Sequence, residues 1–176
     1  RLAAGGKLAG LTTPEILGRA TAMSSVGIEA EAGGTAMNQT LTGIGKAVAG
    51  VGKGAKEKLQ LIASTAGMTA EQFSTAWKQK PAEALQSFIK GLQRAHEEGK
   101  NMDGILAELD MSGIRQGNML KSLASASDKM GEAVRRSNSA WKENTALTTE
   151  AQKRYETTES QLKIFKNQIT DLAIEF

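Results

Sequence analysis

Apolar positions along this chain recur at spacings of three and four residues almost throughout, and they predict a succession of amphipathic helices. The clearest stretch runs from Gly67 to Gly99. Thr69 is placed to cap a helix, with Gln72 completing the capping box three residues on and Met68 and Phe73 at the staple positions. Phe73, Ala76 and Trp77 then follow at i, i+3 and i+4. Pro81 disfavours helical geometry at Lys80 and supplies its own fixed φ to a first turn, so a second helix is expected to start there. Its stripe is Leu85, Phe88, Ile89, Leu92 and Ala95, with Gly99 as the stop. Phe73, Trp77, Pro81, Leu85, Phe88, Ile89 and Leu92 are therefore the expected structural core. Helices this short are marginal alone, so both need a partner to pack on.

The flanking segments read less evenly. Leu2 to Gly10 is small and glycine-rich and predicts no firm element. Thr12, Pro14 and Glu15 mark a helix start, with Ile16, Ala20 and Met23 on one face and Gly27 at the end. From Gly33 to Gly54, Met37, Leu41, Ile44, Val48 and Val51 keep helical spacing through five glycines after residue 42, each costing about 1 kcal/mol relative to alanine. Residues 55–66 predict another helix, with Leu59, Ile62 and Ala63 facing inward. A short helix starting at Asn101 or Asp103 carries Met102, Ile105, Leu106 and Leu109. Another, capped by Ser112, has Leu120, Leu123 and Ala124 as its face, and Ala124 to Ser127 reads as a joint.

From Met130 onward a heptad frame fits the chain, and from Tyr155 to Phe176 its seam is nearly all apolar. Tyr155, Leu162, Phe165, Ile169, Leu172 and Phe176 form the expected self-association seam. Polar residues 144–149 predict a break. The resulting expectation is an all-α chain: a multi-helix compact portion over residues 1–126, followed by a long C-terminal helix with coiled-coil heptads over 127–176. A start at Arg1 rather than Met, and an end at Phe176 inside an unfinished apolar pattern, predict a segment of a longer polypeptide.

Composition narrows the chemistry. Aromatic residues are only 4% of the 176, so the core must be built mainly from Ala, Leu, Ile and Met, and two prolines with few alternating runs argue against a sheet. The absence of cysteine excludes disulfides and thiolate metal sites. A net charge of +3 is mild and its lysines and arginines are interspersed, which gives no ground for sequence-specific nucleic-acid binding. No apolar run approaches the roughly 18 residues of a membrane span.

Candidate catalytic chemistry is thin. His96 is the sole histidine and sits between Ala95 and Glu97 near a helix end, where a solvated side chain is expected. Glu71, Glu83, Glu97, Glu98, Asp103 and Glu108 are close in sequence, but carboxylates on exposed helix faces do not make the facing pair that glycoside hydrolysis needs. Trp77 and Trp141 both read as core anchors. No catalytic, metal-binding or cofactor-binding residue is predicted, and no cofactor. One segment retains a functional reading: Ile44, Lys46, Val48, Val51 and Lys53 outline a cationic amphipathic segment suited to a membrane surface.

Gly67-Met68-Thr69-Ala70-Glu71-Gln72-Phe73 with Ala76-Trp77-Lys78, then Pro81 to Ile89 and Gly91-Leu92, resembles the core region of the phage tail tape measure, or phage-related minor tail, protein family. The likeness continues through Pro14-Glu15-Ile16-Leu17, Glu31 to Ala36, Ile105 to Leu109, Gly113-Ile114-Arg115, Leu120 to Ala124, Asn144 to Leu147 and Lys166-Asn167. It covers nearly the whole chain. Asp110 departs from it, standing where the pattern has a glycine entering a turn. The resemblance implies a non-enzymatic structural protein of the virion, made in the bacterial host cytoplasm and housed in the lumen of the phage tail. It would set tail length, fill the tail tube and leave at DNA ejection. The implied partners are tail tube and tail-tip or baseplate proteins and further copies of itself. The alternative is a membrane-active helical segment that aids genome passage through the host envelope, with the host membrane as its partner.

Overall fold

A computed structural model describes the backbone of residues 2–174 and the side chains of 5–150, 152 and 153. Among the described residues the chain is all-helical: α1 (Leu2–Leu8), α2 (Thr13–Ser25), α3 (Ala30–Val48), α4 (Ala55–Ala66), α5 (Ala70–Gln79), α6 (Pro81–Glu97), α7 (Met102–Glu108), α8 (Ile114–Ser125) and α9 (Ser127–Ile174). Two units divide it, Arg1–Asn138 and Ser139–Phe176.

In the first unit α6 is the central element, touching α4, α5, α7 and α8, while α3 packs on α1, α2, α4 and α8. The reason is compositional. Leu85, Phe88, Ile89 and Leu92 are all fully buried on α6, and Met37, Leu41 and Ile44 form the matching stripe of α3. Glycine sets how closely the helices approach. A Cβ on Gly91 would lie 1.7 Å from the Thr65 carbonyl oxygen, so α6 and α4 meet backbone to backbone. A Cβ on Gly18 would come within 2.6 Å of Val134 Cα, which seats α2 against the first turns of α9.

The helix starts follow from local chemistry. The Glu15 carboxylate accepts from the Thr12 N–H and hydroxyl, each at 2.8 Å. At α5, the Thr69 N–H donates to Gln72 Oε1 at 3.0 Å and the Gln72 N–H to Thr69 Oγ1 at 3.2 Å. Lys80 ends one helix and begins the next. Its N–H donates to the Ala76 carbonyl at 2.7 Å, and its own carbonyl accepts from the Glu83 and Ala84 N–H groups.

Several expectations change. Residues 2–8 are helical, and Gly5 and Gly6 press close to Asn38 and Ile16. Met23 and Ile16 are buried on α2, but Ala20 is exposed and Arg19 faces inward instead. α3 stops at Val48 rather than running to Gly54, because Gly50, Gly52 and Gly54 all take left-handed φ values. The N-cap of α8 is Gly113, not Ser112. Residues 144–149 continue as helix: the Thr145, Thr148 and Thr149 hydroxyls each donate to the carbonyl four residues back, absorbing polar groups that sequence alone reads as a break.

The second unit is the continuation of α9 from Ser139 to Ile174. Residues 139–150 are exposed throughout, including Trp141 at 47% and Leu147 at 70%. Trp141 is therefore not a core anchor.

Candidate functional site

The Gly67–Gly99 stretch forms the middle of the core. Phe73, Trp77, Pro81, Leu85, Phe88, Ile89 and Leu92 are all buried, and the Phe73 and Trp77 rings stack with centroids 6.2 Å apart at 18°. These side chains meet one another and present nothing reactive.

Four of the six carboxylates grouped in the sequence pair with surface cations or an amide. Glu83 meets Lys80 at 3.0 Å, Glu98 meets Lys100 at 2.7 Å, Asp103 meets Lys121 at 2.9 Å, and Glu97 accepts from Gln93 at 2.9 Å. The Lys100 hydrogen bond and charge hold the Glu98 carboxyl below its ordinary pKa, opposite in direction to a general acid. His96 is exposed in the last turn of α6. Among the described residues no cluster of histidine, aspartate and glutamate could hold a metal ion.

The five residues proposed for membrane contact do not share one helix face. Ile44 is fully buried in the α3 stripe, Val48 is half-buried at the end of that helix, and Lys46, Val51 and Lys53 are exposed, the last two in the glycine turn. The period that appears amphipathic in sequence is the core face of α3, cut short by left-handed glycines. No described helix is long and apolar enough to cross a membrane. Of the self-association seam, the side chains of Tyr155, Leu162, Phe165, Ile169 and Leu172, and Phe176 altogether, lie outside the described residues.

Three features were not legible in the sequence. Arg19, 1% exposed, donates from Nη1 to the Glu15 carbonyl at 3.0 Å and from Nη2 to the Ala82 carbonyl at 2.9 Å, leaving buried Nε without a partner. Burial lowers its pKa to about 10, against an opposing pull from Glu15. Fully buried Thr40 accepts at 3.1 Å from Gln116 Nε2 and joins α3 to α8. The third is a cleft of about 740 Å³ where the end of α3, the glycine turn, α4 and the turn after α7 converge, lined by Lys46, Lys53, Lys58 and Asp110. Asp110 takes φ 57, the left-handed geometry expected of a glycine, and its carboxylate pairs with Lys58. That hydrogen bond and charge hold Asp110 below the usual carboxylate range. The cationic segment with Lys46 and Lys53 and the departure at Asp110 were each visible in the sequence, but nothing in their spacing brings them to one cleft.

No family model matches the chain, and neither does any curated protein or solved structure.

Proposed function

We propose that this chain is an internal portion of a tail tape measure protein, a structural component that sets tail length by its own extent. The observation that carries the reading is the many-pointed likeness centred on Gly67–Gly99, whose residues supply the hinge and core of the first unit. All-helical architecture is compatible with it. At about 1.5 Å per residue, the helical residues 139–174 of the second unit rise about 54 Å, so length is set by geometry and no reaction is required.

In this reading the heptad seam at Tyr155, Leu162, Phe165, Ile169, Leu172 and Phe176 joins copies of the chain, and tail tube and tail-tip proteins surround them. The test is an in-frame deletion of residues 139–174 in the parent gene. Assembled tails are expected to shorten by about 54 Å, and tails of unaltered length would overturn the ruler. For the seam, sedimentation of the full chain should show self-association that Leu162→Asp abolishes; a strictly monomeric wild type would remove it.

A further inference from the structure

We propose that the lysine-lined cleft beside the glycine turn binds a phosphate group. Lys46 reaches it from the last turn of α3, Lys53 from between left-handed Gly52 and Gly54, and Lys58 from α4, so three backbone elements deliver three cations to one concavity. Asp110 is its sole acidic lining residue, and that carboxylate is already engaged by Lys58. Among the described residues Lys46 and Lys53 have no ion pair. Glu57 lies near Gly54 without lining the cleft.

Gathering like charges around a water-filled concavity is unfavourable, and an anion offsets that cost. Phosphate fits better than a single carboxylate because its charge and its several oxygens can take more than one ammonium donor at once. The volume, about 740 Å³, exceeds a bare phosphate and leaves room for the organic group of an ester. Gln39, Thr42 and Gln116 supply polar edges for that group. A Cβ at Gly50 or Gly52 would meet nothing, so these glycines are present for their left-handed φ, which shapes the turn presenting Lys53.

The phosphate could belong to a soluble ester or to a phospholipid headgroup, and the experiment separates them. The full chain is titrated calorimetrically with glycerol phosphate, and in parallel sedimented with phosphatidylglycerol vesicles. Saturable binding is expected in at least one arm. A Lys46→Gln, Lys53→Gln double variant should weaken it at least about tenfold, whereas Lys90→Gln with Lys129→Gln, on α6 and α9, should leave it unchanged. Asp110→Asn should tighten binding by removing the competing carboxylate from Lys58. Binding in the first arm assigns a soluble ester, and binding in the vesicle arm alone assigns a headgroup. No saturable binding in either arm, or equal weakening by the control pair, would overturn the site. The four substituted lysines are exposed, and unchanged thermal unfolding of the lysine variants verifies their fold.

Discussion

Arg19 and Gly91 decide more of this molecule than their side chains advertise. Arg19 is a buried cation held only by carbonyl oxygens, both of which belong to helices that supply their own N–H donors. Replacing such a group with an apolar side chain of similar length removes a desolvation cost without orphaning a partner. Arg19→Met is therefore expected to leave stability unchanged or raise it by about 1 to 3 kcal/mol, read from urea unfolding. Arg19→Ala should instead lower stability, since it empties the same space. Gly91→Ala has the opposite logic: its Cβ would sit inside the Thr65 carbonyl, and relief requires separating α4 from α6. A loss of about 3 kcal/mol or more is expected in the same measurement. At Asp110 the pH dependence follows from the lowered carboxyl pKa. The Lys58 pair contributes stability above the unfolded value of 3.8, and this is lost as pH falls through the lower folded value. Acid unfolding of Asp110→Gly should lack that component while the turn itself is retained, because glycine accepts the left-handed φ without strain.

At the scale of elements, the pair α5–α6 is explained by local chemistry, and the α3–α4 connection is not. Thr69, Gln72 and Pro81 mark boundaries through contacts within three or four residues, so spacing alone suffices to read them. Thr69→Ala should cost about 1 kcal/mol through the lost cap, and Trp77→Ala about 3 to 5 kcal/mol through the lost ring and its stack on Phe73; chemical denaturation distinguishes the two. The α3 stripe was equally visible as a period, but a period does not say whether its face meets protein or lipid. Ile44, buried against the core, answers that by contact with distant residues. The helicity of 144–149 was hidden for a different reason: threonine hydroxyls that bond back to the preceding turn satisfy themselves locally, and composition reports only their polarity.

For the whole molecule, the first unit contains the hydrophobic core, and the exposed residues 139–150 contribute nothing to it. A chain ending at Asn138 should therefore unfold cooperatively with a melting temperature close to that of the full chain, measured by calorimetry or circular dichroism. A large fall would mean that the second unit supports the core.

Helical content, most helix starts and the buried stripes of α5 and α6 were determined by sequence alone, because caps, prolines and apolar periods act over one or two turns. Tertiary structure decided the burial of Arg19, the backbone contact at Gly91 and the convergence of Lys46, Lys53 and Lys58 on one cleft. Each joins residues from separate elements whose distance in space no local spacing encodes.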